Sequence, residues 1–252
     1  MATLLTGVSR GIGRGVARTL ASSGEPLLVT ARDLAAARTL ADELGPHVRP
    51  FGLEVTDDGQ RRALASQLVD SKVALSRLIH NAAIYERTST PETAARTLAT
   101  NVFAPIRLTE ALSPVLAADA RIVLVSSSMG QLHSYSSAMR ARFEGVTTQA
   151  EVEVLAAEYL AAGGPDGAER AGFSRDAYSV SKALLNALAQ AWARQFPKRL
   201  VVAASPGWVK TDMGGPGAPR SLAQGVARIV EAATTTNVRS GAFYADSDPF
   251  TR

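Results

Sequence analysis

No cysteine occurs in the 252 residues. That excludes disulfides and thiolate metal sites, and it fits a reducing compartment without demanding one. The three histidines, His47, His80 and His133, are scattered with no metal-ligand spacing, so no metal is expected. No apolar run is long enough to span a bilayer. Residues 1–5 go straight into an apparent strand with no basic segment or cleavage site before it, so neither a membrane partner nor a secretory signal is expected, and the expected location is cytoplasmic. The formal charge is +4, but no long Lys/Arg run carries it, so nucleic acid is not an expected partner. Internal repeats, low-complexity tracts and domain-splitting linkers are also missing. What is present is 46% hydrophobic residue, enough for one large core.

The chain opens with strand, glycine-rich turn and helix. A short apolar strand, 2–5, runs into Thr6-Gly7-Val8-Ser9-Arg10-Gly11-Ile12-Gly13, and Val16, Ala17 and Leu20 follow at helical spacing. Each glycine has a mechanical reason. Gly7 permits a tight turn, Gly11 lets backbone approach a pyrophosphate, and Gly13 lets helix and sheet pack closely. The helix N-terminus then offers free N–H groups to phosphates. The second strand, 26–30, ends at Ala31-Arg32-Asp33, where an adenosine ribose is expected. An acidic residue at the strand end suits the 2′-OH of NAD, and an arginine suits a 2′-phosphate. Arg32 at that end and Arg10 in the turn point to NADP, because arginine can clamp phosphate bidentately. Asp33 tempers the reading, and the plain alternative is two solvated arginines.

Alternation of helix and strand continues along the chain. A helix over 34–44 stops at Gly45-Pro46. A third strand over 48–55 includes Glu54 and Val55, with Thr56 or Asp57 as the cap of the next helix. A fourth strand, 77–80, leads to Asn81-Ala82-Ala83, whose small side chains would let a flat ring pass close to the backbone. His80 reads as a packed side chain rather than a base. Residues 91–116 read as one long helix kinked at Pro105. Asn101 inside it needs partners, and is either a satisfied core residue or a ligand for a carbonyl or a water. A fifth strand, 120–125, delivers Ser126-Ser127-Ser128-Met129-Gly130 to the end of the sheet where open α/β folds place ligands. Helical patterns at 138–143 and 150–162 precede a breaker at 163–167. The sixth strand, 200–204, leads into Pro206-Gly207-Trp208-Val209-Lys210-Thr211-Asp212-Met213. Residues 214–219 read as a mobile stretch that could belong to a lid. A helix over 222–233 and a short strand over 241–244 complete the chain.

Tyr178 and Lys182 lie four residues apart at the start of an apolar-periodic helix, so they share one face. A free phenol titrates near ~10. A neighbouring ammonium is expected to lower that value and make the phenol a usable proton donor. The plain alternative is a surface tyrosine packed on a lysine stem.

Taken together, the segment Thr6 to Gly13, Asn81-Ala82-Ala83, Asn101, Ser127, Tyr178 with Lys182, and Pro206-Gly207 with Thr211 resemble the short-chain dehydrogenase/reductase family along nearly the whole chain. Arg10, Ala31-Arg32-Asp33, the long segment before Tyr178 and the stretch 206–213 look most like its monomeric NADPH-dependent carbonyl reductases. The resemblance implies an α/β fold of the Rossmann type: a doubly wound parallel sheet, one domain over 1–252, with a helical insertion over about 131–173. It implies that Asn101, Ser127, Tyr178 and Lys182 are catalytic. Ser127 would hold the substrate carbonyl, Tyr178 act as general acid, Lys182 lower its pKa, and Asn101 hold a relay water. NADP(H) would lie against Gly7, Ser9, Arg10, Gly11, Ile12, Gly13, Arg32, Glu54, Val55, Asn81, Ala82, Ala83, Tyr178, Lys182, Pro206, Gly207, Val209 and Thr211. Ser127, Met129, Tyr178 and Trp208 would line the substrate pocket. The family's usual Asp before Val55 is Glu54 here, and its usual Asn-Ala-Gly is Asn81-Ala82-Ala83. The implied function is NADPH-dependent, reversible reduction of a ketone, aldehyde or quinone. The alternative is an NADP-binding redox sensor of the same fold without turnover. Because the insertion leads into the Tyr178 helix, whose surface relatives use to associate, a monomer is expected.

Overall fold

In the computed structural model, which describes residues 1–250, seven strands form one parallel sheet in the order β3-β2-β1-β4-β5-β6-β7. The strands are β1 (Ala2–Thr6), β2 (Leu27–Ala31), β3 (Val48–Gly52), β4 (Leu75–His80), β5 (Leu116–Val125), β6 (Leu200–Ala204) and β7 (Phe243–Tyr244). Every residue of β1 and β2 is buried, as helices on both faces require. One face carries α1 (Gly11–Ala21), α2 (Leu34–Leu44) and the last helix, α10 (Leu222–Thr234). On the other lie α3 (Asp58–Asp70), α4 (Pro91–Leu98), α5 (Ala104–Ala111) and α9 (Ala177–Gln195). The strand order reverses between β1 and β4, and in open α/β sheets that crevice binds ligands.

Several sequence expectations change. The third strand ends at Gly52, not at Val55, because a turn follows in which the Asp57 N–H donates to the Glu54 carbonyl at 2.9 Å. Asp57, not Thr56, caps α3 by accepting the Gln60 N–H at 2.9 Å. The long helix over 91–116 is broken. A π turn over Ala99–Phe103 separates α4 from α5, a tight turn over Ser113–Val115 ends the stretch, and Leu116 already belongs to β5. Pro105 falls in the first turn of α5, where its missing N–H is least costly. Gly163 and Gly164, at φ of +74° and +124°, do break the chain, but Pro165 then opens a short helix, α8 (Pro165–Arg170).

The insertion holds α6 (Ser137–Glu144), α7 (Gln149–Ala161) and α8. α7 packs against both α4 and α9, burying Val152, Leu155, Ala156 and Tyr159 in one core with Leu98, Leu184 and Leu188. The indole N–H of Trp192 on α9 donates to Gln149 Oε1 at 2.9 Å. α9 is therefore buried nearly all round because it is covered on both sides. No helix of the described residues is long and apolar enough to cross a membrane.

The reversal point is sewn together by Asn81. Its side-chain N–H groups donate to the carbonyls of Thr6 and Gly7 at 2.8 and 2.9 Å, and the N–H groups of Asn81 and Ala82 both donate to Thr6 Oγ1 at 3.0 Å. Gly13 sits against this knot, where a Cβ would lie 2.2 Å from the Gly7 oxygen and 2.4 Å from Asn81 Nδ2. Gly13→Ala should therefore cost about 1–3 kcal/mol in urea unfolding. Gly217→Ala, where a Cβ meets nothing within 4 Å, serves as the near-neutral control.

Candidate active site

The residues flagged in the sequence gather at the C-terminal ends of β1, β4, β5 and β6. Where β5 ends, the chain enters a short turn over Ser128–Gly130 that abuts α9. A Cβ on Gly130 would stand 2.5 Å from the Lys182 carbonyl carbon, so only glycine allows turn and helix this close. The three serines then face three ways. Ser126 is buried and donates to Asn186 Oδ1 on α9 at 2.6 Å. Ser128 donates to Asp246 Oδ1 at 2.6 Å. Ser127 lies beside the Tyr178 phenol, and its oxygen accepts the Met129 N–H at 3.2 Å.

Asp176 caps α9 by accepting the Ser179 N–H at 2.8 Å, which starts the helix just before Tyr178. Tyr178, Lys182 and Asn186 then lie at successive i+4 positions facing the Ser126–Gly130 turn. Lys182 is fully buried. Its ammonium donates to the Val125 carbonyl at 2.8 Å and lies 5.3 Å from the centre of the Tyr178 ring. Burial pushes the amine down to about 7. The expected lowering of the phenol is not found. Burial pushes Tyr178 up to about 12, the neighbouring Ser127 hydroxyl pulls the other way, and the charges of Asp176 and Tyr85 add to the rise. Spacing puts the two groups together, but burial acts on each separately and opposes its ionised form.

Asn101 lies in the π turn and is buried. Its Oδ1 accepts the Ile84 N–H at 2.9 Å, and its Nδ2 donates to the Ile84 carbonyl and to Ser181 Oγ, both at 3.0 Å. Both side-chain donors are thus used, and the side chain is a brace between the β4 loop and α9. Pro105 has no N–H and so cannot donate to the Asn101 backbone carbonyl. His80 is buried and pairs with Thr109 Oγ1 at 2.9 Å. Burial depresses it to about 3, which bears out a packed side chain rather than a base.

The glycine turn fits an anion. Gly7 and Gly11 take φ of +73° and +57°, in the left-handed region. α1 has no side-chain cap and no acidic residue in its first turn, whereas α2, α3, α4, α6, α7, α9 and α10 are all capped by side chains. Its first N–H groups are left for a ligand. Ser9 and Arg10 are exposed beside it, with Ile12 partly buried. Arg10 meets Asp212 at 3.2 Å in a solvent-exposed pair of little worth, so its guanidinium is available. Arg32 is exposed at the end of β2. Asp33 turns into α2, where it accepts the Ala35 N–H at 2.9 Å as the helix cap. Glu54 accepts from the N–H and hydroxyl of Thr56, next to buried Val55, with half-buried Ala83 across the crevice.

After β6, buried Pro206 and Gly207 (φ +84°) lead to Trp208, Val209 and Thr211. Thr211 flanks Gly11, and buried Val209 packs on Gly225 of α10. The start of the 214–219 stretch is tied down: the Trp208 indole donates to the Gly214 carbonyl at 2.8 Å, and the Gly214 N–H donates to Thr211 Oγ1 at 3.1 Å. Large apolar side chains stay exposed on the loops after β4, β5 and β6: Tyr85, Met129, Trp208 and Met213. Tyr85 was not singled out in the sequence, although it follows Asn81-Ala82-Ala83 closely. Its ring meets Tyr178 edge-on at 5.0 Å.

A reversal-point crevice with an uncapped helix N-terminus, beside a hydroxyl, a phenol and a buried amine, is a site of the Rossmann type. The chain belongs to the short chain dehydrogenase family, whose model matches residues 1–141. It is 31% identical over 235 residues to carbonyl reductase (NADPH) 1 of Sus scrofa, covering 86% of this chain and 81% of that protein. With carbonyl reductase (NADPH) 3 of Rattus norvegicus it shares 32% over 240 residues, covering 88% and 86%. Among solved structures, salutaridine reductase from Papaver somniferum matches with a TM-score of 0.87 at 24% identity, over 96% of this chain and 99% of that one. The carbonyl reductase Sniffer of D. melanogaster matches at 0.72 and 23%, over 100% and 99%. At these identities the two structures bear on the fold alone.

The depressed amine has a consequence for stability. The unfolded chain takes up a proton on Lys182 near ~10.4, whereas the folded protein resists until about 7. Stability is therefore greatest above the unfolded value and falls as pH drops through that window. Between pH 9 and pH 7 the wild-type unfolding free energy should drop by about 2 kcal/mol more than that of Lys182→Met, measured by urea titration at both values. Parallel pH dependences for the two proteins would contradict the burial of an ionisable amine.

Proposed function

We propose that the protein reduces a ketone, aldehyde or quinone carbonyl to the alcohol with NADPH, in a reversible reaction. The observation that carries this reading is the Tyr178 phenol lying beside the Ser127 hydroxyl, with the buried Lys182 amine 5.3 Å from the centre of its ring. When bound, the nicotinamide supplies the hydride. As the carbonyl carbon is reduced, negative charge grows on its oxygen. Ser127 and Tyr178 are the donors that would meet that oxygen. A phenol pushed up to about 12 is fully protonated at neutral pH, so it holds the proton the alkoxide needs. Giving up that proton leaves a phenolate against Lys182, and the ammonium is the charge that makes it tolerable. Lys182 and Tyr178 are also assigned to the ribose of the cofactor. The Asn101 backbone carbonyl, to which Pro105 cannot donate, would hold a relay water.

The same proposal gives the remaining residues their places. Gly7, Ser9, Gly11, Ile12 and Gly13 would hold the pyrophosphate. Arg10 and Arg32 would hold a 2′-phosphate, with Asp33 turned into the α2 cap. Glu54 and Val55 would meet the adenine, and Asn81, Ala82 and Ala83 would pass along the cofactor. Pro206, Gly207, Val209 and Thr211 would meet the carboxamide. Met129 and Trp208, joined by Tyr85, would line an apolar mouth for the substrate. The protein would act in the cytoplasm, and as a monomer because α7 packs against both α4 and α9.

With a ketone that the wild type turns over, Tyr178→Phe should lower kcat/KM by at least about 100-fold with little change in NADP+ affinity. Full activity in that variant would remove Tyr178 as the acid. The double variant Arg10→Ala/Arg32→Ala should weaken NADP+ binding by about 10- to 100-fold in calorimetry, and NAD+ binding far less. Equal losses for the two cofactors would remove the arginines as 2′-phosphate ligands. Sedimentation equilibrium should give a single species near 26.4 kDa, and a stable tetramer would contradict the covered-helix argument.

A further inference from the structure

Ser128 is the one serine of the three that turns away from both the crevice and α9. Its side chain donates to Asp246 Oδ1 at 2.6 Å, and its backbone N–H donates to Ser205 Oγ at 3.2 Å. Asp246 lies just past β7, far from the serines in sequence. Ser205, at the end of β6, is buried, and its N–H donates to the Tyr244 carbonyl at 2.9 Å. Ser128 is thus anchored to two strands on the far side of β5. Ser127 is extended, at φ −158° and ψ 150°, so its side chain points to the opposite side from Ser128, and it lies beside Tyr178. Whatever fixes Ser128 also sets the direction of Ser127.

Asp246 is held in turn by Arg220. The guanidinium donates to the Asp246 backbone carbonyl at 3.1 Å and meets its carboxylate at 3.3 Å. The Ser128 hydroxyl, first, and Arg220 keep the Asp246 carboxyl below its usual range. The Arg220 backbone pairs with the substrate loop: its N–H donates to the Trp208 carbonyl at 3.1 Å, and its carbonyl accepts the Lys210 N–H at 2.9 Å. Gly207 closes over this pair, where a Cβ would lie 2.4 Å from Arg220 Cδ and 3.1 Å from Asp246 Cβ. One carboxylate therefore links the serine turn to the loop that carries Trp208.

We propose that Asp246 is a positioning residue for the carbonyl-holding hydroxyl of Ser127, acting through Ser128, and that Arg220 couples this position to the Trp208 loop. The proposal rests on the reading of Ser127 given above. Asp246→Ala and Ser128→Ala should each lower kcat by about 10- to 100-fold, with NADP+ affinity by calorimetry changed less than about twofold. The double variant should be no worse than Asp246→Ala alone, because that variant has already lost the contact that Ser128→Ala removes. Asp246→Asn keeps an acceptor for Ser128 Oγ and should recover most of the rate. If Asp246→Ala does not fold, Ser128→Ala carries the kinetic test alone. A crystal structure of Ser128→Ala should show Ser127 Oγ turned away from Tyr178. A rate within about twofold of wild type in the folded single variants, additive losses in the double variant, or an unmoved Ser127 would each overturn the proposal. If the wild type reduces no carbonyl, the functional reading falls, and the position of Ser127 in the variant crystal still decides the role of Asp246.

Discussion

Between Gly130 and the peptide linking Lys182 to Ala183 there is no room for a side chain, and the site depends on that contact. It brings the end of β5 against the first turns of α9. The Val125 carbonyl can then reach the Lys182 ammonium, and Ser126 can reach Asn186. With one serine bound to the helix and another bound to Asp246, the middle one is left facing the phenol. Close packing does here what no single strong interaction does: it turns three identical residues into three different ones.

The same contact buries a lysine, which opposes folding. The amine keeps one hydrogen bond to a carbonyl and an aromatic face, and its depressed proton affinity records the lost hydration. A protein selected for stability alone would place methionine there. The phenol above it is held in its protonated form by the same dryness. Acid and cation are thus stored in states from which a developing negative charge would draw them, one by losing a proton and the other by staying charged. On the other side of the crevice the design is the reverse: the α1 N-terminus has no side-chain cap, and Arg10 and Arg32 are exposed.

Much of this was legible in the sequence. The bounds of α2 and β6 are those read from periodicity, and the glycine turn, Asn81, Ser127, Tyr178 and Lys182 all converge where strand ends should meet. The misses share a physical character. A π turn leaves no periodic trace, so the segment holding Asn101 read as one helix. Spacing identifies neighbours but not the dielectric around them, so the shift of Tyr178 was expected with the wrong sign. Asp33 looked like a residue against NADP until its carboxylate proved to be a helix cap. Asp246 and Arg220 carried no signal, because their meaning comes from a contact across 118 positions of chain.

The central claim is that Ser127 and Tyr178 converge on one carbonyl oxygen, and the electronic state of a bound carbonyl reports this most directly. A ketone substrate labelled with 13C at its carbonyl would be bound in the dead-end complex with NADP+, where no reduction can follow. The account predicts that the carbonyl resonance moves downfield of its position in water, and that Tyr178→Phe and Ser127→Ala each move it part of the way back. A bound resonance at or upfield of the position in water, unchanged in both variants, would contradict it.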